Sequence, residues 1–134
     1  MMGFVYRLIC AGLLAGPAMA QATALDGSGL TEQDAAAFRT QMQACWNVGA
    51  LPADAQDIVM RVRFTMAPTG VPVADSLELV ETSSQDAAHT ELAFQAARRA
   101  VIRCGAGGYD LPAAAFASWE HVEVTFDPSG MRVR

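Results

Sequence analysis

Two cysteines constrain this chain more than any other pair of residues. Cys45 and Cys104 stand 59 positions apart, each near the end of a stretch with helical periodicity. The third cysteine, Cys10, falls in a segment that reads as a secretory signal peptide spanning residues 1–20. That segment has one basic residue, Arg7, then an apolar run over 8–15, a Gly16-Pro17 breaker and Ala18-Met19-Ala20, which predicts cleavage after Ala20. Export into an oxidising compartment makes a Cys45–Cys104 disulfide the first expectation. The alternatives are free core thiols, or a metal site recruiting His89 or His121. Neither histidine stands at finger-like spacing from a cysteine, so no metal is expected.

The apolar run is interrupted too early for a membrane span, so membrane attachment is expected only if the signal segment is retained. A lipoprotein reading at Cys10 is disfavoured by the bulky Ile9 before it. About 114 residues follow the cleavage site, the size of one domain. Residues 21–30 read as a flexible leader and 31–134 as the domain. The net charge is −5 and the pI about 4.8, with every basic residue an arginine. Such a chain is a poor match for nucleic acid or anionic lipid.

Thr31-Glu32-Gln33-Asp34 predicts a helix start, with Thr31 as cap and Asp34 at the acidic capping-box position. Phe38, Met42, Cys45 and Trp46 then form one apolar stripe, and Gly49 and Pro52 end the helix. Ile58, Met60, Val62, Phe64 and Met66 alternate with polar or smaller residues, which predicts a strand with one buried face. After the Pro68-Thr69-Gly70 turn a second strand is expected over 77–81, completing a hairpin, with Pro72 at an exposed edge.

Ser83 or Ser84 is expected to cap a second helix over 85–103, whose inner face is Leu92, Ala93, Ala96, Ala97, Ala100, Val101 and Cys104. Arg98, Arg99 and Arg103 suit its C-terminal end, and Gly105 stops it. A short helical turn over 113–119, a last strand over 122–126 and a loose tail over 129–134 complete the chain. The expected fold is α+β: a three-stranded antiparallel sheet with the first strand central and two helices on one face. Phe38, Met42, Trp46, Val62, Phe64 and Val101 are the expected core.

The series Phe38-Arg39-Thr40-Gln41-Met42-Gln43-Ala44-Cys45-Trp46-Asn47 resembles the opening of the C-terminal domain of TolA-type proteins. Residues 97–104, Tyr109-Asp110-Leu111-Pro112, Trp119 and Phe126-Asp127-Pro128 resemble its closing half, so the likeness runs from Phe38 to Met131. TonB C-terminal domains are similar at greater distance. The resemblance implies a periplasmic docking module of the Tol–Pal cell-envelope system, not an enzyme, with TolB-like partners and strand addition at a sheet edge. It also implies an anchor and a stalk before the domain. Here a signal peptide stands in that place, so force transduction is not expected.

The expected docking edge is the last strand: Val122, Glu123, Val124, Thr125 and Phe126. Arg61 and Arg63 would flank a groove for an acidic partner segment. Alternatives are a regulator or inhibitor competing with a full-length transducer, a component of envelope transport, or a small secreted enzyme. No nucleophile stands at suggestive spacing from a base, and Gly27-Ser28-Gly29 lacks the helix a phosphate loop needs. No cofactor and no small-molecule substrate are expected.

Overall fold

Alternation at the hairpin sets the architecture. In the computed structural model, which describes residues 30–133, β1 spans Met60–Thr65 and buries every second residue. Met60, Val62 and Phe64 face the core, while Arg61, Arg63 and Thr65 face away. β2 (Glu78–Thr82) and β3 (His121–Phe126) flank β1, both antiparallel to it. Met60, Val62 and Phe64 stand opposite Phe126, Val124 and Val122, so the apolar columns coincide. The first strand is central, as its regularity implies.

A fourth strand corrects the three-stranded expectation. Residues Arg132–Val133 form β4 and pair with Thr125 and Val124, giving the order β2-β1-β3-β4. The tail is therefore part of the sheet, and Met131 before it is buried. At the other end Leu30 is buried as well, so the ordered domain takes in the last residue of the expected leader. The expected signal peptide and the rest of the expected leader lie outside the described residues.

α1 spans Glu32–Gln43 and opens with the expected capping box between Thr31 and Asp34. It ends earlier than the apolar stripe suggests. The amides of Cys45 and Trp46 donate to the carbonyls of Met42 and Gln43, a tighter turn that takes both residues off the helix. Phe38 and Met42 are fully buried, and Trp46 is half-buried against the edge of the Phe126 ring.

α2 spans Ala87–Cys104. Its cap is Asp86, not Ser83 or Ser84: the Asp86 carboxylate accepts from the His89 amide at 2.9 Å. That bond holds the Asp86 carboxyl below its usual range. Ser84 serves one step earlier, accepting from the Asp86 amide. Ala93, Ala96, Ala97, Ala100 and Val101 are buried as expected, but Leu92 is exposed. At about 100° per residue, Leu92 lies roughly 140° round the helix from Ala97. Side chains of α1 and α2 meet the same sheet face in one core cluster. A short helix, α3 (Phe116–Trp119), leads into β3.

Tyr109 locks the loop after α2. Its hydroxyl donates to the Val101 carbonyl at 2.7 Å, its amide donates to the Gly70 carbonyl, and its ring meets Phe38 edge-on. Gly105 is required here for space, since its φ of −97° is open to any residue. A β-carbon there would lie 2.6 Å from Pro72 Cδ and against the Tyr109 ring. Pro72 is thus buried, not on an exposed edge. Gly70, at φ +84°, and Gly108, at φ +95°, are the described positions where left-handed backbone demands glycine.

Burial raises the Tyr109 hydroxyl well above the usual tyrosine range. A folded-state pKa above the unfolded value stabilises below the unfolded pKa and is lost as pH rises through the folded one. Stability is therefore expected to fall above pH ~10. Urea titrations of the full chain between neutral and strongly alkaline pH check this. Tyr109→Phe is expected to cost about 1 kcal/mol at neutral pH and to flatten the alkaline limb; an unchanged limb refutes it.

Candidate functional site

The sheet face away from the helices carries the charged residues of the strands in columns. On β1, Arg61 stands opposite Glu81 and Arg63 opposite Glu78. Residues three apart lie on opposite faces of a regular strand. A bulge in β2, where the register shifts between Arg61 and Val62, brings Glu78 and Glu81 to the same face. Arg63 Nε then donates to Glu78 Oε1 at 2.9 Å, and Arg61 Nη2 lies 3.4 Å from Glu81 Oε1. On its other side Arg61 Nε lies 3.4 Å from Glu123 Oε1, ion-pair distance without the alignment of a hydrogen bond. Both arginines are thus engaged by carboxylates of their own sheet. Arg61 also lines a cleft on this face, and the side chain of Arg63 remains 53% exposed.

The last strand is brought to the margin only in part. Val122, Val124 and Phe126 point into the core, Thr125 is buried as well, and Glu123 meets Arg61. The outer side of β3 is paired with β4 through Val124 and Thr125, so it is not the open edge that the order of elements implies. The turn that returns β4 is held by Asp127. Its carboxylate accepts from the hydroxyl and the amide of Ser129 and lies 3.4 Å from Arg132 Nη1. The Ser129 bonds, with Arg132 adding to them, hold the Asp127 carboxyl below its usual range. A lowered pKa means that this contribution is present above the ordinary carboxylate pKa and is lost as pH falls through the lowered value.

A cleft of about 340 Å³ opens on this face, floored by Arg61 and Thr125 and bounded by Glu81 and Ser83 on one side and Arg132 on the other. Below it the sheet rests on the helices, which the Cys45–Cys104 disulfide joins with Cα atoms 5.8 Å apart. Trp119 is buried, as a core aromatic should be, with its indole N–H donating to the Pro112 carbonyl at 2.8 Å. Among the described residues, no group of three or more His, Cys, Asp or Glu is arranged to hold a metal ion. Among the same residues, no helix is long and apolar enough to cross a membrane.

The Arg61/Arg63–Glu78/Glu81 set was not visible in the sequence as a unit. Its only signal is two acids three apart facing two arginines two apart, a mismatch that a bulge resolves.

The protein defined by these observations is an α+β domain with a four-stranded antiparallel sheet and one disulfide. Comparison with known protein families, with curated proteins and with solved structures gives no match in any of the three.

Proposed function

We propose that this chain is a periplasmic docking module, similar to the C-terminal domain of TolA-type proteins. It takes an extended strand of a Tol–Pal envelope partner, TolB-like, at the β3 margin. One observation carries the reading: β3 has six residues and β4 covers it with two. A partner strand that replaces β4 gains a longer ladder than it removes, because main-chain pairing grows with each residue added. The ordered residue series that resembles TolA-type domains supports the same reading, as does the α+β layout of helices on one sheet face.

The bound state requires β4 to leave, so the tail competes with the partner. When a binding-competent state is only partly populated, apparent affinity falls by that fraction. A chain ending at Met131, which keeps that buried residue and removes β4, is expected to bind roughly three- to tenfold more tightly than the full chain. The check is photo-crosslinking in cells from position His121, which is exposed at the start of β3. A TolB-like protein in the adduct, and a stronger yield from the shortened chain, is the expected result. Adducts with no protein of the Tol system, or a shortened chain that binds no better, would overturn the proposal.

A further inference from the structure

β2 ends the sheet on the side opposite β4, and among the described residues no strand lies beyond it. Across the open face the charges alternate by strand. Glu123 on β3 is followed by Arg61 and Arg63 on β1, then by Glu78 and Glu81 on β2. Two inner members are shielded, the side chains of Arg61 and Glu123 being 26% and 24% exposed, while Arg63 is 53% exposed. The outer acids are not, with Glu78 at 60% and Glu81 at 67%. An ionised carboxylate has about four lone-pair sites. One arginine leaves each of these two with acceptor capacity turned outward.

From this pattern we infer that the outer margin of β2 is a docking site for an extended basic segment of a partner protein. Its Lys or Arg side chains continue the alternation against Glu78 and Glu81. Opposite charges on neighbouring strands stabilise and like charges directly opposite destabilise. That rule also disfavours a second copy of this chain in every register that sets Glu78 or Glu81 against one another. The net charge of −5 draws a basic segment toward the domain as a whole. The bulge breaks the even spacing of edge groups and blunts the margin against indiscriminate pairing. Charge, more than ladder length, therefore selects the occupant. This site is independent of the β3 margin and goes beyond the docking role proposed there.

The test is an NMR titration of the full chain with a capped octapeptide of alternating lysine and valine, beside its glutamate–valine counterpart. The expected result is shifted and exchange-protected amides over Glu78–Thr82 with the lysine peptide and none there with the glutamate peptide. Glu78→Gln with Glu81→Gln is expected to weaken binding about fivefold, the scale of two exposed ion pairs. Raising salt from low to about 0.5 M weakens the wild-type complex similarly, a reading that needs no variant. Equal binding of the two peptides, shifts confined to β3 and β4, no binding, or no salt dependence would each overturn the inference. Those signals are read separately from crosslinking at His121, so the two proposals fail independently.

Discussion

Replacing both Cys45 and Cys104 with alanine is expected to remove about 4 kcal/mol of stability. The bridge closes a loop of 59 residues, and in the chain-entropy model a closure of that length costs the unfolded state roughly this much freedom. For a domain of this size the loss corresponds to a melting point lower by roughly 15–30 °C. The structure adds where the loss is felt. The bridge ties the turn after α1 to the last residue of α2, and the same turn seats Trp46 on Phe126 of β3. Guanidinium unfolding of the double variant, beside the wild type with and without reductant, is the measurement. Reduced wild type and the alanine pair should coincide. A loss under about 1 kcal/mol in both would show that the link contributes little.

Trp119→Ala carries a comparable expected loss of about 3–5 kcal/mol. Trp119 is 1% exposed and the largest fully buried side chain of the domain. Its ring meets Phe116 edge-on at 4.9 Å, and its N–H satisfies the Pro112 carbonyl. Alanine would leave a cavity and an unpaired carbonyl together. Trp119→Phe keeps most of the volume and is expected to lose about 1–2 kcal/mol from the hydrogen bond. Trp46 behaves differently. Its indole nitrogen is buried without a hydrogen-bond partner among the described residues, so Trp46→Phe removes a donor that gains nothing from folding. That change is expected to cost less than Trp119→Phe. The reverse order in urea titrations would contradict this account of the two indoles.

The contrast between these tryptophans shows what a linear pattern conveys. Trp46 was legible as a core aromatic because it continues the apolar stripe of Phe38 and Met42, whereas no such period leads to Trp119. Which one has its polar end satisfied depends on Pro112, a residue that only the turn into α3 brings beside the Trp119 ring. The cap at Thr31 was readable because both of its bonds span three residues. The cap at Asp86 was misread as Ser83 or Ser84, since three acceptors stand within four positions and the path of the chain out of β2 selects among them.

The margins were the least legible part. Arg132–Val133 is too short to show a period, yet it pairs with two residues of β3 and covers part of the edge expected to be open. The carboxylates that Arg61 and Arg63 meet lie on other strands, 15 to 62 residues away in sequence at Glu78, Glu81 and Glu123, so no local pattern announces them. The β2 bulge that brings two of those acids to the same face leaves no mark beyond an irregular alternation.

Periodicity, capping chemistry and the cysteine pair were enough to define helices on one side of an antiparallel sheet with β1 central, because burial repeats every two or every three to four residues and each period leaves its own trace. Which sheet margins stay open, which charges are already answered and why Gly105 must be glycine emerged from folding alone. Those properties belong to residues far apart in sequence meeting at a few ångströms, and no local period records such a meeting.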